Sequence, residues 1–386
     1  MKTRTSTFRR QGLPTLDFPS KFQDDSTRKH ILIVHLAGNP GLIRYYEPFL
    51  RHIRCLLDDK ESENGCRHAF HIQGRNLIGF ADSDHEPAYG TTFSDSEGVV
   101  AEPFVVEDQI RAICDHLCRM NNPTSQCETK GKSRGFDEII LMGHSVGSYI
   151  CTEVIHRHYL ARKGYRTGVL TYTSVDQFAN LPLKAGILLF PTLTHIALSP
   201  KGRKLTLLSH FVTPYLLSSL LTPPAHALTW GLDRLPAWLR TSVVRFLTGG
   251  FPEHAEKATL EFLRQRDAIW QGLHMGVDEM ERIAEERWEE EMWEGEEAMR
   301  EVVEGEEKDG NGNGAAKFYL FFASKDHWVA DHCRDEFIER RQSNEKARRG
   351  TKVVVDEAGL PHAFCIHHSE TVAEKVYTWI QEIAGL

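Results

Sequence analysis

Residues 143–147 read Gly-His-Ser-Val-Gly, a serine with a glycine two positions to either side. This is the G-x-S-x-G spacing of a nucleophile set on a sharp strand-to-helix turn, where bulk at Gly143 or Gly147 would run into neighbouring backbone. Five such residues also arise by chance, and a serine after a strand can simply cap a helix. The setting favours the nucleophile. Glu138-Ile139-Ile140-Leu141-Met142 before the motif reads as a buried strand, and a helix is expected to begin near Val146.

A serine hydroxyl reacts only when a base takes its proton, and the base needs an acid to orient it. In the fold built around this turn the order along the chain is Ser, then Asp or Glu, then His. Asp326 follows the apolar run 317–322, and His362 follows the run 352–355. Each is expected in a loop at the C-terminal end of a strand, where partners of Ser145 must converge. Asp331 competes with Asp326 but is expected to open the next helix as a cap. His367 and His368 compete with His362 but fall where the terminal helix begins, and His327 lies in the acid's loop. The oxyanion that forms on attack needs two N–H donors. One is Val146, after the nucleophile; the other is expected in Gly38-Asn39-Pro40-Gly41. Pro40 has no N–H, which leaves Asn39 first and Gly41 second, while a plain tight turn is the competing reading of these four residues. The chemistry is acyl transfer to water, with no cofactor and no metal required.

Positioning these residues calls for a particular frame. Short apolar runs at 30–36, 69–72, 138–142, 185–190, 317–322 and 352–355 alternate with helix-periodic stretches at 45–57, 105–120, 332–349 and 370–383. That pattern predicts an α/β fold of the α/β-hydrolase kind: a mostly parallel sheet with helices on both faces. Residues 29–194 and 316–386 are the two parts of this core, after an N-terminal tail, 1–28, expected to be flexible. Between them, 195–277 is helical, apolar and proline-interrupted, and reads as an inserted cap. Residues 278–315 are mostly acidic and end in Gly310-Asn311-Gly312-Asn313-Gly314, expected as a solvated helix and a linker. Trp288 and Trp293 sit oddly there, and their docking on the core or a partner is the other reading.

Bulk properties set limits. At 386 residues, with 41% hydrophobic and 26% charged residues, the chain is long enough for one enlarged domain. A net charge of −8 argues against nucleic acid as a partner. The basic N-terminus lacks the apolar stretch of a secretory signal. Eight cysteines without a C-x-x-C pair are expected to be reduced. No run of 18 apolar residues reads as a simple membrane span. Residues 205–225 are nonetheless too apolar for an ordinary surface helix. They are expected either to line an acyl-chain pocket or to form a hairpin, turning at Pro223-Pro224, that dips into a lipid monolayer.

The combination of Gly38-Asn39-Pro40-Gly41, Tyr45-Tyr46-Glu47-Pro48-Phe49-Leu50 and Gly143-His144-Ser145-Val146-Gly147-Ser148-Tyr149-Ile150 resembles the lipid droplet-associated hydrolase family. Lys325-Asp326-His327-Trp328-Val329 and Leu360-Pro361-His362-Ala363-Phe364 extend the resemblance to the C-terminus. The chain departs from the family in reading Leu36-Ala37 where Ile-Pro is common, and in carrying the acidic insertion. The resemblance implies a serine hydrolase of lipid esters, sterol esters among the candidates. It would act at the monolayer of lipid droplets on their cytoplasmic face, with the endoplasmic reticulum surface as a second location. A droplet-bound scaffold with little turnover, or an acyltransferase using an alcohol in place of water, is the alternative.

Overall fold

A computed structural model describes residues 15–85, 88–91, 100–121, 135–165, 175–295 and 316–386. The linker at 310–314, the acidic residues 296–309 and most of the polar stretch 121–135 lie outside the described residues.

The strands are β1 (Thr15–Phe18), β2 (Lys29–Leu36), β3 (His68–Arg75), β4 (Glu138–His144), β5 (Leu183–Leu189), β6 (Lys317–Phe322) and β7 (Thr351–Val355). They form one seven-stranded sheet in the order β1-β3-β2-β4-β5-β6-β7. Only β1 is antiparallel to its neighbour. Period-two alternation splits the apolar runs between two cores. Leu32, Val34, Ile139, Leu141, Leu188 and Leu320 face one side. Ile31, Ile33, Ile140, Met142, Ile187 and Phe321 face the other. Both faces are therefore buried, as the unbroken apolar runs require.

The helices are α1 (Glu47–Glu61), α2 (Val106–Met120), α3 (Val146–Arg162), α4 (Val175–Ala179), α5 (Pro200–Phe211), α6 (Pro214–Asp233), α7 (Ala237–Leu247), α8 (Glu253–Arg264), α9 (Ala268–Arg282), α10 (Asp331–Ser343), α11 (Glu345–Gly350), α12 (Phe364–His367) and α13 (Ser369–Ala384). Helices α1 and α13 cover one face of the sheet, and α2, α3 and α10 the other. Helices α5 to α9 lie in the connection between β5 and β6.

Four expectations are corrected. Residues 15–28 are not a loose tail: β1 pairs with β3, Asp17 accepts from Gln73 Nε2 at 2.9 Å, and Ser20 Oγ donates to Glu61 at 2.7 Å. The expected helix over 332–349 is two helices, because the Asn344 side chain caps a new start by accepting from the N–H groups of Lys346 and Ala347. The bend in the apolar segment is at Val212–Thr213, where α5 and α6 meet at 99°, and not at Pro223-Pro224. Thr213 precedes a proline, which disfavours the helical conformation; it is extended, at φ −67° and ψ 150°, and its hydroxyl caps Leu216 N–H. Pro223 and Pro224 sit inside α6; the Ser219 and Leu220 carbonyls they deprive of donors lie on an exposed stretch that solvent can reach.

The acidic segment is the fourth. Helix α9 runs through the boundary assigned at 277/278, and the described part beyond it packs on the core rather than standing in solvent. Trp293 is fully buried against Phe318 and Phe337, with centroids 4.4 and 5.4 Å away. Trp288 Nε1 donates to Glu153 at 2.9 Å. Glutamates surround these indoles, but Glu286 and Glu290 meet Arg341, so the charge is compensated at the contact.

Candidate active site

The sheet register brings the candidate residues to one edge. Leu36 is level with Gly143, His144 with Leu189, Leu189 with Phe321 and Phe322 with Val355. The turns that follow β2, β4, β5, β6 and β7 therefore open side by side. Those turns carry Asn39, Ser145, Phe190, Asp326 and His362 in that order.

Ser145 joins β4 to α3 with φ 54° and ψ −125°, a backbone conformation that residues with side chains rarely adopt. Its N–H donates to Leu189 O at 3.1 Å. The flanking glycines are required by close backbone. A Cβ on Gly147 would stand 2.5 Å from Leu36 O and 2.7 Å from Ala37 O, and one on Gly143 2.6 Å from Ser148 N. Ser148 Oγ closes the turn by donating to Gly143 O at 2.8 Å.

His362 bridges the serine and the acid. Its Nε2 is 2.9 Å from Ser145 Oγ, and its Nδ1 is 2.7 Å from Asp326 Oδ2. The second carboxylate oxygen of Asp326 accepts from Trp328 N–H at 2.8 Å, so both oxygens are committed. The Asp326 side chain is 2% exposed and that of His362 13%, so the carboxylate lies inside and the imidazole nearer the opening. Asp356 shapes the loop before the histidine, accepting from Leu360 N–H at 2.6 Å.

The competing residues are not brought to Ser145. Asp331 opens α10 and pairs with Arg334 at 3.1 Å. His367 ends α12, near Phe251, and His368 precedes α13. His327 contributes only its carbonyl, which accepts from Lys201 N–H at 2.9 Å and ties α5 to the Asp326 loop.

The two N–H groups expected to serve an oxyanion are both without a backbone acceptor among the described residues. Val146 is the first residue of α3, where N–H groups have no carbonyl within the helix. The Asn39 N–H has no acceptor among the described residues. Gly41, the second choice, is packed against Leu77 and Phe80.

His144, which sequence reasoning placed only as a member of the turn, has a further part. Its Nε2 is 2.8 Å from the His362 carbonyl, so that nitrogen carries the proton and donates. Its Nδ1 then accepts from Tyr46 Oη at 2.7 Å, while Tyr46 accepts from Gly38 N–H at 3.0 Å. Burial, with the His362 ring beside it, pushes the His144 pKa well below that of a free histidine and keeps the ring neutral. The chain Gly38–Tyr46–His144–His362 thus ties the first turn to the His362 loop. The Tyr45-Tyr46 pair in the sequence was the signal for it, without a stated role.

A possible metal grouping among the described residues is Asp82, His85 and Asp267. Its carboxylates are already engaged by Arg266: the N–H meets Asp82 at 2.9 Å and Nε meets Asp267 at 2.8 Å.

Comparison with known proteins agrees with this architecture. The profile of the family described as "Lipid-droplet associated hydrolase" matches residues 29–365. The lipid droplet-associated hydrolase of Gallus gallus is 22% identical over 356 residues, 91% of this chain and 85% of that protein. The Mus musculus protein of the same name is 22% identical over 361 residues, 93% and 86% of the two chains. Among solved structures, the peroxisomal alpha-beta-hydrolase Lpx1 of Saccharomyces cerevisiae shares the fold, with TM-score 0.50 at 10% identity over 99% of this chain and 86% of that one. The sheet order, the turn at Ser145 and the match across both halves of the core make this chain an α/β-hydrolase that belongs to the lipid droplet-associated hydrolase family.

Proposed function

We propose that the protein is a serine hydrolase of lipid esters that works at the surface of lipid droplets. The observation that carries the reading is His362 standing between Ser145 Oγ and Asp326, at 2.9 and 2.7 Å. His362 takes the Ser145 proton as the oxygen attacks the ester carbonyl, and Asp326 holds the imidazole and the positive charge it acquires. The N–H groups of Val146 and Asn39 receive the oxyanion. The tetrahedral intermediate expels the alcohol, which takes its proton from His362. Water, activated by the same histidine, then releases the acid from the acyl-serine.

The cap supports the droplet half of the reading. Its helices expose Phe211 (79%), Trp238 (72%) and Phe246 (86%), together with Leu207, Leu216, Leu220 and Trp230. Isolated exposed apolar residues are ordinary, whereas their concentration on three consecutive helices supports a surface that docks on an apolar partner. The stretch 200–247 holds six Lys and Arg against a single Asp in a chain of net charge −8. Apolar anchors with a basic surround suit a monolayer with anionic headgroups. No single described helix is long and apolar enough to span a bilayer, while α5 and α6 satisfy that test together only as a bent pair. A droplet has one aqueous side, so a segment that enters must return, and a bent pair does so. The relatives' name adds the expectation that this surface is a droplet.

Ser145→Ala should abolish covalent labelling by a fluorophosphonate probe and turnover of a short-chain nitrophenyl ester, with thermal unfolding unchanged. Labelling that persists in this variant overturns the assignment.

A further inference from the structure

Helix α9 lies across the Gly38–Gly41 turn with three residues of one face on it. Gly272, Gly276 and Glu279 are spaced i, i+4, i+7, which places them on one stripe. A Cβ on Gly272 would be 3.5 Å from Asn39 Oδ1, and one on Gly276 3.6 Å from Asn39 Nδ2, so the glycines let the helix backbone approach. Asn39 Nδ2 spends both of its hydrogens on this helix. One goes to Gly272 O at 3.0 Å and the other to Glu279 Oε1 at 3.0 Å.

We propose that Glu279 is a positioning residue for the hydrolytic reaction: through the Asn39 side chain it fixes the Asn39 N–H in the oxyanion site, so stabilisation of the transition state depends on the cap being docked. This rests on the reading of Ser145 as nucleophile. The turn is then held from two sides, by Tyr46 on Gly38 N–H beneath and by Glu279 on Asn39 from the cap. Burying a carboxyl is unfavourable, and simple packing of α9 would be met by an apolar side chain. Among the described residues no cation offsets it: the neighbouring Asp278 is turned to Val106 N–H at 2.8 Å, and Arg282, one turn on, is bonded to Glu107. Burial instead raises the Glu279 pKa to about 8, which keeps it neutral beside a site that must accept negative charge.

The test compares Glu279→Leu, Glu279→Gln and Asn39→Ala in the full-length protein, using p-nitrophenyl butyrate turnover and the second-order rate of Ser145 phosphonylation by a fluorophosphonate. Loss of one oxyanion donor costs about 100- to 1000-fold in kcat. A donor left in place but loosened should cost about 10- to 100-fold. Glu279→Leu, which fills the space without an acceptor, should show that loss with KM within about twofold, and phosphonylation should slow in parallel. Asn39→Ala, which keeps the backbone N–H, should behave alike and serves as the reading if Glu279→Leu does not fold. Glu279→Gln, which keeps an acceptor oxygen, should recover to within about threefold of wild type. A folded Glu279→Leu with wild-type kcat, or a change in KM alone, overturns the inference while wild-type labelling at Ser145 leaves the hydrolase reading standing. No labelling of wild type overturns that reading instead.

Discussion

Glu279 also makes stability depend on pH in a way that can be worked out from its surroundings. Its carboxyl is buried, with no cation beside it among the described residues, and its pKa rises from 4.5 to about 8. A group whose folded pKa lies above its unfolded value contributes stability below the unfolded pKa, and that contribution is lost as pH rises to the folded pKa. The window therefore runs from about pH 4.5 to pH 8. Each pH unit within it is worth about 1.4 kcal/mol, so moving from pH 5 to pH 9 costs wild type about 4 kcal/mol from this one group. Glu279→Gln is nearly isosteric with the neutral acid and has nothing to ionise. Every other titrating group is common to the two proteins and cancels in their difference. Urea unfolding of both at pH 5, 7 and 9 should give closely similar midpoints at pH 5. At pH 9 the Gln variant should be ahead by a shift on the order of 1 M, given urea slopes of a few kcal/mol per molar. A difference between the two proteins that stays constant across this range refutes the reasoning, because it means the carboxyl titrates normally in the folded state.

Other consequences can be checked more briefly. Gly147→Ala places a methyl against the Leu36 and Ala37 carbonyls, so it should destabilise by about 1–3 kcal/mol and displace Ser145, seen as a lowered Tm and lost probe labelling. Tyr46→Phe removes a donor to His144 and an acceptor for Gly38; at about 0.5–1.5 kcal/mol per hydrogen bond, kcat should fall about threefold to tenfold in steady-state assays with KM little changed. Asp326→Asn leaves His362 without its anion, and kcat should drop on the order of 10⁴-fold, as in the serine protease on which that magnitude rests. Replacing Phe211, Trp238 and Phe246 by serine should release the protein from phospholipid-coated triacylglycerol droplets in a flotation assay while leaving turnover of a soluble ester unchanged. At about 1.5–3 kcal/mol for each large apolar side chain, binding should weaken by well over 100-fold, and retained flotation would count against the cap as the docking surface.

The sequence carried the frame most clearly where burial demanded it. Strands buried on both faces need unbroken apolar runs, and 31–34, 139–142 and 185–189 stand out for that reason. Asp326 and His362 were legible from position, because a loop after a strand is where this fold collects its side chains. What stayed hidden is tertiary. Strand β1 offers only Leu16 and Phe18 as apolar residues, too few to announce a strand until β3 lies beside it. The apolar segment was expected to turn at Pro223-Pro224, but those prolines fit inside α6 and the Thr213 cap before Pro214 sets the bend. The glutamates around Trp288 and Trp293 read as solvated because the arginine that meets them, Arg341, is remote in sequence. Glu279 belonged to an acidic run, and its partner Asn39 is 240 residues away.

The backbone of Ser145 has a consequence for how such a chain can change over generations. A non-glycine residue held at φ 54° costs about 1–3 kcal/mol, a sizeable share of the margin by which most domains remain folded. Glycine at 145 would relax that strain, whereas alanine would keep it. Selection for hydrolysis and selection for robustness therefore pull in opposite directions at a single codon. In a lineage that retained the protein only to coat droplets, nothing would hold the strained serine in place, and position 145 would be among the first to drift toward glycine.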